Sequence, residues 1–338
     1  MSQIAEIDCG YLAIIQAMAD RIWVDPIANI DVIADVESAK AVLENQRVNF
    51  TEITGRKKRA IAVEWQQKCD VTTTDCSDDC TITGDDVEPV CKEYEIECLQ
   101  ETSFKVPERA YRERTIEMQE AIAKNLLLHK KALDEWIAQY ILTGLVANAG
   151  VNAFTGGVGT VAGNTTTIPA NFWDDTIWGY FNRVVRGNKF KNPYLITGDN
   201  LYQYLFNRQH ETMTEAGKAA MAKVGTIRKI YLDPENVETI AAGTTFLLHQ
   251  TAAAFLNKAW NPLGAARAEQ KAGNYWLWSE PSMNIPGIYY DIVMKQTCES
   301  NDFYQAFKVQ LHGAFAVNPY PCDEDNTGIL TFECGSGV

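Results

Sequence analysis

Five of the nine cysteines fall within thirty residues, as Cys69, Cys76, Cys80, Cys91 and Cys98; the other four are Cys9, Cys298, Cys322 and Cys334. Thiols at this density suit zinc ligation, redox exchange or disulfide stapling. Structural zinc sites usually present two short pairs, C-x2–4-C or H-x3–5-H. Here only Cys76 and Cys80 have that spacing, and no histidine lies between Arg56 and Leu128. A C-x-x-C redox motif is absent. A hairpin fits the spacing better. Gly84-Asp85-Asp86 is turn chemistry. One antiparallel register about that turn sets Cys69 opposite Cys98 and Cys76 opposite Cys91, and leaves Cys80 over. The offset between the two pairs is odd, so they cannot share one disulfide geometry unless a bulge or Pro89 breaks the ladder. The plain alternative is five reduced thiols serving as small apolar side chains.

Other catalytic signals are sparse. His129, His210, His249 and His312 are scattered one per predicted element, and each reads as a structural group. His210-Glu211 opens like a metalloprotease motif, but Thr214 stands where the second histidine belongs. Neither a G-x-S-x-G nucleophile motif nor a P-loop lysine motif is present. Gly156-Gly-Val-Gly159-Thr-Val-Ala-Gly163 has dinucleotide-type glycines, yet a predicted helix precedes it where a strand is needed, so it reads as a flexible loop. No catalytic residue, metal or cofactor is expected.

The 338 residues carry a net charge of −14, with 46% apolar and 22% charged residues. That balance suits a soluble protein and argues against tight nucleic-acid binding by the chain as a whole. No apolar run approaches a membrane span. Glu6 and Asp8 stand where a basic leader region would lie, so no secretion leader is expected. Charge is segregated within the cysteine-rich stretch. Arg56, Lys57, Lys58 and Arg59 lie at its base, and Asp78, Asp79, Asp85 and Asp86 at its tip. A long isolated hairpin is marginal in water, and opposite charges at its two ends suit packing on a neighbouring copy; a solvated acidic loop is the alternative.

Downstream, Val106-Pro107-Glu108 opens a helical pattern with one apolar face at Ile116, Ile122, Leu126, Leu133, Ile137, Ile141 and Leu145. It runs to Asn148-Ala-Gly150, about 37 residues and roughly 55 Å. A further helix is expected from Asn171 to Arg186, then a strand at Tyr194–Thr197 and a helix from Gly198-Asp-Asn200. Strands follow at 228–232, 245–248 and 275–278, and two long ones at Ile288–Thr297 and Phe303–Val317. Cys322 and Cys334 flank a turn at Asn326-Thr-Gly328 and form a third candidate staple.

This order of elements, together with Asn192-Pro-Tyr-Leu-Ile-Thr-Gly-Asp-Asn-Leu201 and the paired C-terminal strands, resembles the major capsid proteins of tailed bacteriophages with the Hong Kong 97 fold. The resemblance implies an α+β fold in five parts: an N-terminal arm over 1–49, an extended two-stranded E-loop hairpin over 50–106, a peripheral domain with its spine helix over 107–170, a mixed α/β axial domain over 171–285, and C-terminal strands and tail over 286–338. It further implies a non-enzymatic subunit that assembles in the host cytoplasm into hexamers and pentamers of an icosahedral virion shell around double-stranded DNA, with weak nonspecific proximity to that DNA. Portal, scaffold and decoration proteins are the implied partners; the short N-terminal arm leaves no room for a scaffolding segment of its own. In such a shell the hairpin would overlie an adjacent subunit, and Cys80 is the candidate for a bond between subunits. Three rival expectations stay open: a bacterial nanocompartment shell of the same fold, a zinc-binding module on an unrelated α/β protein, and an enzyme that uses a histidine with carboxylates in no recognised motif.

Overall fold

The computed structural model describes residues 9–25, 30–46, 48–53, 59–65, 90–111, 114–155, 157–173, 176–199, 201, 227–260, 264, 268–271, 275–299, 302–318 and 327–335. The chain divides into two compact units: Met1–Leu43, Glu95–Ile141 and Phe255–Ala314 form the first, and Glu44–Tyr94, Leu142–Ala254 and Phe315–Val338 the second.

In the first unit the N-terminal segment is helical. Helix α1 spans Cys9–Val24 and α2 spans Glu37–Asn45. Tyr11, Leu12, Ile15, Ala19 and Ile22 recur at helical steps and are buried, which is why this segment coils into a helix and does not extend. The long helix α3 runs over Thr115–Ala147, 33 residues. Its apolar face is the expected one: Ile122, Leu126, Leu133, Ile137, Ile141 and Leu145 are all buried, whereas Ile116 is 69% exposed. It starts later than Pro107. That residue ends strand β4 (Glu97–Pro107), and a 3-10 turn at Glu108–Tyr111 intervenes.

Strand β4 corrects the register and extent of the expected hairpin, whose arms survive as the pairing of β2 (Ala60–Trp65) with β3 (Val90–Glu95). The single register through the cysteines would set Trp65 opposite Thr102, but Thr102 pairs with Val309 of β14 (Asp302–Val317). The reason lies in the side chains. Val106 is buried, and Phe104 stacks on Phe307 at 5.0 Å and on His129 at 4.8 Å. Pairing with β14 buries this alternating apolar row. β14 also pairs with β13 (Tyr289–Glu299), which continues to β12 (Tyr275–Pro281) and β11 (Glu269–Lys271). Buried Gln305, Phe307, Val309 and Leu311 show strict alternation along β14, as a sheet with one face on a core requires.

The second unit holds two sheets. In the smaller, β1 (Asn49–Ile53), β2 (Ala60–Trp65) and β3 (Val90–Glu95) lie in that order, so β2 has a neighbour on each side. The larger has the order β5-β6-β15-β9-β7-β8, formed by Thr160–Ala162, Thr165–Pro169, Ile329–Gly335, Thr244–Leu248, Tyr194–Thr197 and Lys229–Leu232. The glycine-rich stretch is therefore partly a hairpin: β5 pairs with β6 through Gly163-Asn164, and Gly163 takes φ +62°, the conformation such a two-residue turn needs. Helix α4 covers Thr176–Gly187, starting past the expected Asn171 because Ala170–Phe172 form a 3-10 turn. Its Ile177, Tyr180, Phe181, Val184 and Val185 pack in one cluster with Leu195, Leu247, Leu330 and Phe332. Helix α5 (Pro234–Ala241) is capped by Asp233, whose carboxylate accepts from Asn236 N, with proline in the first turn. At the end of α3, Gly144 faces Phe315: a Cβ there would lie 2.6 Å from the ring, so close packing explains a glycine inside a helix.

Candidate functional site

Charged residues inside a core mark the places where chemistry or switching is built, so the buried polar groups come first. In the first unit Lys130 and Asp134 stand one turn apart on α3, and both are buried. Lys130 Nζ donates to Glu280 of β12 with both side chains 3% exposed, and Trp278 Nε1 donates to the other Glu280 oxygen at 2.8 Å. Asp134 accepts from Ser282 Oγ at 2.7 Å, Asn284 Nδ2 at 2.9 Å and the Tyr290 hydroxyl. Asn284 also accepts from Ala34 N at 3.0 Å and donates to Val32 O at 3.2 Å. This network ties the N-terminal segment, the long helix and the end of β12 together. Every group in it has a partner, so its chemistry is that of a clamp.

Burial pushes the Asp134 carboxyl above its ordinary range, against the pull of the Tyr290, Asn284 and Ser282 donors and of Lys130. Burial, with the nearby Asp134 charge, pushes the Tyr290 hydroxyl well up. A carboxyl raised on folding contributes stability that is full below its unfolded pKa, about 3.9, and fades as pH rises through its folded value. Asp134→Asn removes that titration. The melting temperature of the wild type minus that of Asp134→Asn is therefore expected to fall as pH goes from 4 to 8, measured by calorimetry. A difference that stays flat or rises with pH would contradict the assignment.

A second buried carboxylate, Asp291, has the composition of a hydrolytic triad. Ser279 Oγ donates to Asp291 Oδ1 at 2.5 Å, Trp260 N donates to the same oxygen at 2.8 Å, and His312 Nδ1 lies 3.1 Å from Oδ2. The order is wrong for nucleophile activation. The serine gives its proton to the carboxylate and not to the imidazole, so no base is poised to deprotonate it. The other described histidines are structural too. His129 stacks on Phe104, and burial lowers its pKa; His249 is buried, edge-on to Phe190 at 5.6 Å. His210 lies outside the described residues. Among the described residues no group of three or more His, Cys, Asp or Glu could hold a metal.

Of the sequence-predicted site residues, Cys69, Cys76, Cys80 and Cys322 lie outside the described residues, as do Arg56, Lys57, Lys58, Asp78, Asp79, Asp85 and Asp86. Cys91 on β3 and Cys334 on β15 are exposed. Cys98 on β4 is exposed as well, with Sγ 3.9 Å from the Gln100 carbonyl and its residue paired with His312. Cys91 and Cys98 thus sit on strands of different sheets, and Arg59 is half-buried just before β2. Cys298, near the β13–β14 turn, is also exposed. Exposure is unusual for a residue type that prefers interiors. Large apolar side chains are exposed too: Val24 at 76%, Ile116 at 69%, Trp260 at 50%, and Phe50, Phe303 and Phe154 near 45%. Scattered singly such residues are ordinary; they become informative beside the fold.

The clamp residues were missed from sequence, although a signal existed. The apolar face of α3 skips from Leu126 to Leu133, and Lys130 occupies the missing rung. A charge on an apolar stripe asks for a buried partner.

No family model matches the chain, and no curated protein matches it in sequence. Solved structures do resemble it along most of its length. A chain from Mycobacterium phage Adephagia is 13% identical, with a TM-score of 0.45 over 88% of this chain and 91% of its own. The capsid of Ralstonia phage GP4 is 14% identical, with a TM-score of 0.40 over 91% and 88%. The capsid of Myoviridae phage XM1 is 11% identical, with a TM-score of 0.39 over 90% of each chain.

Proposed function

We propose that this chain is a structural shell subunit: a capsid protein that self-associates into hexamers and pentamers of an icosahedral phage head enclosing double-stranded DNA, and that performs no catalysis. The observation that carries the reading is the path of the chain. A strand pair leads directly into β4, then comes a helix of 33 residues, then a mixed-sheet unit, and finally the long β13–β14 pair on which β4 docks. Element order is the ground of the resemblance drawn from sequence, and each of these pieces recurs in that order.

Surface chemistry supports the same reading. Exposed Ile116 and Phe303, and Phe50 on β1, offer apolar area for neighbouring copies. The net charge of −14 suits a wall that lies beside nucleic acid without gripping it. Cysteines of the 69–98 stretch would staple that stretch or join subunits once the particle leaves a reducing compartment. Portal, scaffold and decoration proteins are its proposed partners and the virion its proposed location. Sedimentation velocity of the purified chain, alone and with proteins encoded beside its gene, tests the reading. Capsomer-sized or larger species are expected, and a monomer under every condition would contradict it. A nanocompartment shell would sediment alike but carry an enzyme cargo and no DNA.

A further inference from the structure

Four adjacent strands of the first unit each place one side chain on the same face of their sheet: Ser279 on β12, Asp291 on β13, His312 on β14 and Cys98 on β4. Ser279 is paired directly with Asp291, and His312 with Cys98; opposed residues share a face. Asp291 pairs with Gln310, two residues before His312, so the imidazole stands one step along that face. A bulge sets the alignment. Leu311 pairs with Gln100 but His312 with Cys98, which leaves Leu99 as the extra residue. Leu99 goes to the buried face: a Cβ on Gly313 would lie 3.3 Å from Leu99 Cδ1 and 2.9 Å from the Phe255 ring. Cys98 therefore falls on the other face with His312, where it is exposed. Bulges re-aim side chains in this way.

Ser279 stands at the wrong end of this row to be activated, and Cys98 stands at the right one. Asp291 takes Ser279 Oγ and Trp260 N on one oxygen, and its other oxygen lies 3.1 Å from the buried Nδ1 of His312. A carboxylate at Nδ1 orients the ring and holds its proton there, which leaves Nε2 as the base. Directly opposed residues of an antiparallel pair have Cβ atoms about 4.5–5.5 Å apart, so thiol and imidazole are within each other's reach. The Cys98 thiol also lies 3.9 Å from the Gln100 carbonyl, a weak contact. A thiolate beside an imidazolium is the arrangement that makes a cysteine reactive, whereas inert cysteines are buried among apolar groups. The other charges around the pair are Glu97 and Glu101 on β4, Lys308 on β14, and Lys258, next to the Asn257 whose Nδ2 donates to His312 O at 2.8 Å. Glu101 and Lys308 pair at 3.1 Å and offset one another.

We propose that Cys98, served by His312 and Asp291, is a reactive-thiol site that takes small disulfides and becomes a mixed disulfide by exchange. His312 receives the Cys98 proton, and the thiolate attacks one sulfur of R–S–S–R. The bond between the two sulfurs breaks as the Cys98–S–S–R bond forms, and the departing thiolate takes the proton back from His312. One disulfide replaces another, with no net oxidation. Exchange needs only a thiolate and a proton for the departing thiol, and the pair supplies both; acyl transfer would also need an oxyanion hole. The step is stoichiometric, so it suits a subunit without catalytic turnover. It does not depend on the shell reading.

The test exposes the purified full chain to glutathione disulfide and follows each cysteine by peptide mass mapping. Cys298 is the internal reference, because it is also exposed but stands opposite Phe303 in place of a histidine. At pH 6.5 Cys98 is expected to form the mixed disulfide about fivefold faster than Cys298, or more. Alkylation by iodoacetamide across pH then reads the imidazole directly. The pH of half-maximal rate at Cys98 should lie at least about one unit lower in wild type than in His312→Gln or Asp291→Asn, while the Cys298 profile stays where it was. Thermal melting establishes that each variant is folded. Equal rates at Cys98 and Cys298 in the wild-type chain would overturn the proposal without any variant. A Cys98 profile that does not move in folded His312→Gln would overturn it too. Either failure leaves the shell reading intact, since sedimentation of the wild-type chain tests that separately.

Discussion

Lys130→Met is expected to destabilise the protein by about 3–5 kcal/mol, the usual consequence of leaving a buried charge without its partner. Glu280 is the charge left behind. It is 3% exposed at its side chain, and besides Lys130 it accepts from the Trp278 indole at 2.8 Å. Water cannot reach it to compensate, and methionine fills the lysine's volume without supplying a donor. The double variant Lys130→Met/Glu280→Leu removes both charges and should recover most of the loss, because an apolar pair of similar size often replaces a buried ion pair at little cost. Urea denaturation of the three variants gives the comparison through their midpoints. A single variant within 1 kcal/mol of wild type would mean that Lys130 and Glu280 are hydrated, and would remove the clamp from the account.

Phe332→Ala carries the second large effect. Phe332 sits on β15, which pairs in parallel with β6 and antiparallel with β9, and it is completely buried. Its ring meets Phe181 edge-on at 5.2 Å and Tyr180 at 6.2 Å. Tyr180 is itself held in apolar surroundings that raise its hydroxyl pKa to about 12. Truncation leaves a cavity lined by rigid rings on a helix and by sheet backbone. Such a site collapses poorly, so a loss of about 3–5 kcal/mol is expected. Phe332→Leu keeps much of the volume and should lose less. A loss from Phe332→Ala below about 1 kcal/mol would mean that α4 does not pack on β15 as described.

Sequence reasoning reached some elements directly and missed others for identifiable reasons. The apolar face of α3 and its end at Asn148-Ala-Gly150 were legible because periodicity, and the point where it stops, are local signals; the structure adds that Asn148 Nδ2 donates to Gly144 O at 2.8 Å. Strands β7, β9, β13 and β14 were legible for the same cause. The partner of β4 was not. Glu97–Pro107 alternates as a strand should, but alternation does not say which strand lies beside it. Phe104 against Phe307 decided that, across some two hundred residues of chain. The N-terminal arm was read by position, although Tyr11, Leu12, Ile15 and Ala19 already carried helical spacing. The cysteines that drew attention first sit largely outside the described residues, while the clamp at Lys130 and Asp134 lay in plain view as charges interrupting an apolar stripe.

The central claim is that this chain builds a closed shell, and electron microscopy tests it most directly. Negative-stain images of the protein expressed alone and with its genomic neighbours should show capsomer rings or closed icosahedral particles. Small monodisperse particles under every condition, with the protein folded by thermal melting, would contradict it.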